Sequence, residues 1–155
     1  MDNVVIPSAG IDESNANGYY ILLPKNYQKE VQSLHTFLLK KYQIKHLGII
    51  ITDTTSRPLK YGTAGIALYS YGFEPLIDKR GTKDLFGKKM ELTQINIPES
   101  LSGFAVYLMG ETNEQTPMLI ARGIPDIHYT LKDNYSETLV SLDQDIYFPL
   151  LQNFT

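Results

Sequence analysis

A chain of 155 residues with 43% hydrophobic and 20% charged residues is long enough for one domain with a sizeable core, and its ordinary composition excludes disorder. Its formal net charge of −3 is too mild to signal a nucleic-acid partner. The lack of cysteine excludes disulfides, zinc–thiolate sites and thiol nucleophiles, and it fits a cytoplasmic location. No apolar run approaches the ~20 residues that span a bilayer. Residues 1–7, Met-Asp-Asn-Val-Val-Ile-Pro, lack the basic start and long apolar stretch of a signal peptide.

In chain order, Val4-Val5-Ile6 reads as a short strand ended by Pro7, and Ser8 to Gly18 as a turn-rich loop. Tyr19 to Leu23 returns to a strand closed by Pro24. A helix follows: Asn26 is a suitable N-cap, and Tyr27, Val31, Leu34, Leu38 and Tyr42 recur at helical spacing as one apolar stripe. Lys29, Gln32 and Lys40 fall off that stripe, and His35 on the same helix is expected as a surface or rim residue rather than a ligand. Leu47 to Thr52 is an unbroken β-branched run of the kind buried on both faces, and a helix feeding such a strand suggests some parallel pairing. Beyond Pro58 the chain is rich in glycine, with Ile66 to Tyr71 and Met90 to Ile97 as further strands. Pro98 opens a second helix through Leu101, Ala105 and Leu108, which Gly110 ends. Met118 to Ala121 reads as a strand, and Ile146 to Leu151 is the part of the tail expected to dock on the core. The sum is one α+β domain over residues 1–155, a mixed β-sheet layered with two main helices.

Three loops carry the groups suited to chemistry: Ala9 to Asn15, Thr52 to Pro58 and Met109 to Pro117. Each sits where a strand or helix ends, which is where ligands gather in layered folds. Hard divalent cations take oxygen ligands, and Mg²⁺ needs one or two carboxylates when waters and phosphates complete its shell. Asp12, Asp53 and Glu111 can supply carboxylates and Thr54 a hydroxyl. Asp53 follows three isoleucines at the edge of a dry core, where an unpaired charge is expensive. It needs a cation, a partner such as Arg57, or backbone donors, as in a capped turn. Asp12 in its Asp-Glu-Ser-Asn loop equally suits an Asx turn, and Glu111 and Glu114 equally suit solvated loop charges. Residues 110–117 offer amides and hydroxyls to a phosphate or nucleobase but form no P-loop. Lys79, Arg80, Lys83, Lys88 and Lys89, interleaved with Asp78 and Asp84, suit a solvated face or an anionic substrate. The other histidines, His46 and His128, are scattered. Tyr69 and Tyr71 suit sheet packing better than base stacking.

In order, A-G-I-D-E-S-N, I-T-D-T-T-S-R-P, P-L-I-D-K-R-G-T-K-D-L-F-G and M-G-E-T-N-E-Q-T-P resemble the γ-glutamyl ligase family. Its best-known branch extends coenzyme F420 with glutamate, and another is assigned to folate metabolism. The resemblance runs from about Val4 to Gly123. It implies GTP, two Mg²⁺ or Mn²⁺ ions and L-glutamate, joined as an amide to a carboxylate of F420-0 or a folate-like acceptor through an acyl phosphate. Carried onto this chain, Asp12 and Asp53 would hold the first ion, and Thr54 and Glu111 the second. Asn15 and the loop Gly110, Glu111, Thr112, Asn113, Glu114, Gln115, Thr116 and Pro117 would contact the nucleotide. A homodimer is implied too. Apart from the resemblance, Arg57, Arg80 and the nearby lysines are the residues of this chain that hint at an anionic acceptor pocket.

The chain departs from the family where an acidic residue and a glycine usually stand and Glu114-Gln115-Thr116 stand here. Thr55-Ser56 replace an aromatic and a glycine. Full-length members resemble this chain only in their later half, so it is expected to be the C-terminal portion of the fold, with a separate N-terminal half as a further expected partner. The rival expectations are a non-catalytic metal- or nucleotide-binding module and a phosphate-ester hydrolase.

Overall fold

The computed structural model describes residues 11–151, so the strand expected at Val4 to Ile6 lies outside the described residues. The α+β class holds. The elements are β1 (Ile11–Asp12), β2 (Ile21–Leu22), α1 (Tyr27–Tyr42), β3 (Ile49–Ser56), β4 (Thr63–Tyr71), β5 (Leu76–Asp78), β6 (Gln94–Asn96), α2 (Ile97–Met109) and α3 (Phe148–Leu151). The strands pair as β1–β2, β3–β4 and β5–β6, and all three pairings are antiparallel.

The parallel pairing expected after α1 is therefore not found among the described residues. Its cause lies in residues 57–62, a short loop that turns the chain straight back, using left-handed conformations at Leu59 (φ 60°) and Gly62 (φ 89°). β3 becomes one arm of a hairpin, with Ile49 opposite Tyr71 and Ser56 opposite Thr63. Its isoleucines are half-buried rather than enclosed on both faces. The core lies around β4, where Ile66, Ala67, Leu68 and Tyr69 are buried together with Val31, Phe73, Ile97 and Val106.

α1 begins and ends where the spacing predicts. Asn26 holds the N-cap position without a side-chain hydrogen bond, and Gln43 closes the helix in the left-handed region at φ 51°. The buried face, however, is turned from the expected stripe: Val31 and His35 are buried while Leu34 and Tyr42 are exposed. His35 is a core residue, 2% exposed, not a rim residue. Its Nε2 lies 3.0 Å from the Leu47 carbonyl oxygen, which only accepts, so Nε2 carries the proton. The ring stands edge-on to Tyr71 at 5.0 Å. Gly72 (φ 96°) makes room, because a Cβ there would meet both the Leu47 oxygen and the imidazole.

α2 starts as its sequence dictates, with the Asn96 side chain accepting the Glu99 N–H at 3.1 Å and Pro98 in the first turn. Gly110 ends it at φ 83°, its N–H on the Val106 carbonyl. The helix packs on β4 through Gly65, whose missing side chain leaves space for Ser102 and Val106. Met90 to Ile97 yields a strand only at Gln94–Asn96. Met118 to Ala121 forms none; Met118 and Ile120 are exposed there.

The tail then returns across the core edge. Phe73 bridges to Tyr129, Thr130 N–H donates to the Gly72 carbonyl at 3.1 Å, and the Tyr135 hydroxyl donates to the Ala67 carbonyl at 2.8 Å. α3 lies against the turn at Leu142–Gln144, with Tyr147 and Leu150 exposed, instead of docking on the core. Among the described residues no helix is long and apolar enough to cross a membrane.

Candidate functional site

Asp12 ends β1, and its carboxylate closes an Asx turn. Oδ1 accepts the Ser14 N–H at 2.8 Å, and the Ser14 hydroxyl lies 2.8 and 2.7 Å from Oδ1 and Oδ2. The amide and then the hydroxyl of Ser14 hold this exposed carboxyl below the ordinary carboxylate range. Asp12 therefore stays anionic near neutral pH and faces solvent, as a ligand for a cation must. Ser14 was not singled out from sequence, although an Asp-x-Ser spacing is itself the signature of this turn.

Asn15, at φ 54°, reaches across the fold. Its Nδ2 donates to the Thr112 carbonyl at 2.8 Å, joining positions 97 residues apart. This bond ties the first motif to the loop after α2. Within that loop the Thr112 N–H donates to Glu114 Oε2 at 2.7 Å, and the Thr112 hydroxyl lies 3.1 Å from Glu114 Oε1. The Thr112 amide is the main cause that holds the Glu114 carboxyl below its usual range. Gly110 accommodates this, since a Cβ there would collide with the Glu114 side chain. Gln115 occupies the left-handed region at φ 54°. It thus takes a backbone conformation that glycine adopts most easily. Residues 111–120 are exposed throughout, so Glu111, Asn113, Thr116 and Pro117 are open to solvent.

Asp53 and Thr54 sit on β3, opposite Ile66 and Gly65. Asp53 Oδ1 accepts the Thr54 N–H at 2.8 Å; it does not pair with Arg57, and Oδ2 has no partner among the described residues. Because Gly65 packs directly on α2, the Asp53–Thr54 pair is braced against the helix that ends in the 110–117 loop. Asp12, Asp53 and Glu111 do not gather into one three-carboxylate cage, since no group of three such side chains occurs among the described residues. Of the two candidate anion-binding arginines, Arg80 is engaged by Asp78: Nε lies 2.9 and 3.0 Å from the two carboxylate oxygens and Nη2 2.6 Å from Oδ2. Those bonds hold Asp78 down to about 2. Arg57, in the β3–β4 loop, has no ion-pair partner among the described residues.

All the donors offered by Asp12, Asp53, Thr54 and Glu111 are oxygens, the set that hard divalent cations prefer over softer metals.

The comparisons with known proteins agree with this pattern of motifs. The family model described as F420-0:gamma-glutamyl ligase matches residues 2–123. The chain is 37% identical over 122 residues to the coenzyme F420:L-glutamate ligase of Methanopyrus kandleri, covering 78% of this chain and 48% of that protein. It is 42% identical over 118 residues to the protein of the same name from Methanosarcina mazei, covering 76% and 46%. For the Methanosarcina acetivorans protein the identity is 34% over 139 residues, covering 89% and 51%. The chain spans about half the length of these curated relatives. With the matched region holding Asp12, Asn15, Asp53, Thr54 and the whole 110–117 loop, the chain belongs to the F420-0:gamma-glutamyl ligase family.

Proposed function

We propose that this chain supplies the metal- and nucleotide-binding part of a GTP-dependent γ-glutamyl ligase acting on F420-0 or a folate-like carboxylate. The bond from Asn15 to Thr112 carries the reading, because it joins two motifs remote in sequence at one place on the surface. Asp12 and Asp53 would hold one Mg²⁺ or Mn²⁺ ion, and Thr54 and Glu111 a second. When bound, the ions would offset the negative charge of the triphosphate.

The chemistry is two displacements. The acceptor carboxylate oxygen attacks the γ-phosphorus of GTP, forming an O–P bond as the β–γ bridging bond breaks and GDP leaves. The glutamate amine then attacks the acyl carbon, the amide C–N bond forms, phosphate departs and the amine gives up a proton. This chain's residues hold and orient the nucleotide: Asn15 fixes the 110–117 loop, and the Thr112 N–H and hydroxyl become available to a phosphate oxygen once Glu114 releases them. Arg57 and the lysines of residues 79–89 would attract an anionic acceptor. The remaining half of the family fold and a second copy of the chain are proposed as further participants.

Titration calorimetry with GTP tests the binding step. GTP should bind in the presence of Mn²⁺ and weaken at least tenfold without it, and Asp53→Ala should remove the effect of the metal. The absence of nucleotide binding with metal present, even with the remaining half of the fold supplied, would sink the proposal. Retained binding without glutamate-dependent turnover would favour a non-catalytic module.

A further inference from the structure

Every polar group of Thr112 is engaged. Its carbonyl accepts Asn15 Nδ2 at 2.8 Å, and its N–H donates to Glu114 Oε2 at 2.7 Å. Its hydroxyl lies 3.1 and 3.2 Å from the two oxygens of the same Glu114 carboxylate. The backbone is shaped for this arrangement. Gly110, at φ 83°, leaves a recess that Glu114 fills, since a Cβ there would come within 2.6 Å of Glu114 Oε2. Beyond it, Gln115 in the left-handed region and the Thr116 hydroxyl on the Glu114 carbonyl at 3.1 Å hold the chain so that the glutamate folds back over Thr112.

An N–H and an O–H aimed together at one carboxylate form the kind of contact that proteins offer to phosphate. Here the chain supplies the anion itself. Glu114 makes no ion pair among the described residues, so its charge is not cancelled by a neighbouring cation. A phosphate oxygen gains the Thr112 donors only by displacing a like charge, which opposes its approach. Glu111, in the same exposed loop, adds to that opposition. A divalent cation reverses the balance: it offsets the charge of the triphosphate, and it is a hard partner for a displaced carboxylate.

We infer that Glu114 is a specificity-determining residue of the nucleotide site, holding the Thr112 donors so that a triphosphate gains them only together with a divalent cation. This rests on the nucleotide site proposed above. It predicts the opposite of an ordinary contact: loss of a residue that grips the nucleotide weakens binding, whereas loss of Glu114 strengthens the binding of metal-free nucleotide.

Two measurements on the full chain test this, with Glu114→Ala, which removes charge and acceptor, and Glu114→Gln, which removes the charge but keeps an acceptor of the same shape. The first needs no nucleotide. The Thr112 amide, followed by NMR, should exchange with solvent at least about fivefold faster in Glu114→Ala than in the parent, with the Val106 amide of α2 unchanged. Equal Thr112 rates would mean that Glu114 does not hold these donors, and would overturn the inference whatever the protein binds. The second is titration calorimetry with GTP, with Mn²⁺ and with a chelator. Both variants should bind metal-free GTP about three- to tenfold more tightly than the parent, which narrows the gap between metal-free and Mn²⁺-supported binding. Metal-free binding that is weaker or unchanged in both variants, in a parent that binds GTP with Mn²⁺, overturns the inference and leaves the nucleotide site standing. Absence of GTP binding with Mn²⁺ in the parent and both variants, even with the remaining half of the fold supplied, removes the nucleotide site and this inference with it.

Discussion

Two glycines that face each other across the α2–β4 contact should respond oppositely to the same substitution. A Cβ on Gly65 would lie 2.7 Å from Val106 Cγ2 and 2.8 Å from the Ser102 carbonyl carbon, and would press on the Ser102 oxygen. Carbon atoms rest at about 3.5–4.0 Å, so the added methyl overlaps by about 1 Å with backbone that cannot step aside. Overpacking of this kind costs about 1–3 kcal/mol, against a backbone gain of about 0.5–1 kcal/mol for replacing glycine in a strand. For Gly103 the nearest atom to a new Cβ is the Gly65 oxygen at 3.9 Å, an ordinary contact. There only the helical gain remains, about 1 kcal/mol. At about 2–4 °C per kcal/mol for a chain of this size, Gly65→Ala should lower the Tm by about 2–6 °C and Gly103→Ala raise it by about 2–4 °C. Thermal unfolding followed by circular dichroism measures both. Gly65→Ala should also weaken GTP binding, because pushing α2 outward separates Thr54 from the 110–117 loop. A Gly65→Ala variant as stable as the parent, or an equal fall for Gly103→Ala, would refute this account of the contact.

Ser102 Oγ is buried with no hydrogen-bond partner among the described residues, so Ser102→Ala should raise stability by about 1 kcal/mol, read as a higher midpoint in denaturant. Gln115→Gly should relieve the left-handed strain at φ 54° and leave the protein no less stable, since that conformation costs a side-chain-bearing residue about 1–2 kcal/mol; a clear loss of stability contradicts the strain. The folded carboxyl of Asp78 is depressed to about 2, so what it contributes is present above the unfolded value near pH 4 and is lost as pH falls toward 2. Carboxyl-carbon NMR should find it still ionised at pH 3, and Arg80→Ala should return it to the ordinary range. Tyr135 is pushed up to about 12, chiefly by burial. Its contribution is complete below pH 10 and lost as pH rises through 12; Tyr69 is likewise pushed up to about 12 by burial, so Tyr135→Phe should remove one of two late phenolate steps in an ultraviolet titration.

Much of the helical layer was legible in the sequence, because helix signals are local. The Asn26 and Gly110 boundaries, the Pro98 start and the apolar spacing of α1 all act within one or two turns of chain. Which face of α1 is buried was not legible. His35 is drawn inward by the Leu47 carbonyl and by space left at Gly72, and neither is announced by periodicity. The isoleucine run misled for a related reason. A strand of that composition is usually enclosed on both faces, yet here a six-residue loop folds it into an antiparallel hairpin with half-buried isoleucines. For the site, the residue types and the loops were legible, and the link between Asn15 and Thr112 was not, since a bond spanning 97 positions has no local signature. The self-contained turns at Asp12 and Glu114 were available in the Asp-x-Ser and Thr-x-Glu spacings, which mark short side-chain-to-backbone bonds.

The central claim meets its most direct test in product formation. This chain, joined to the remaining part of the family fold, is incubated with GTP, Mn²⁺, L-glutamate and F420-0, and the acceptor is examined by mass spectrometry. The account predicts an acceptor heavier by one glutamyl residue, with one phosphate released per amide formed and no product from Asp53→Ala. GTP hydrolysis that proceeds equally without glutamate, with the acceptor unchanged, would contradict it.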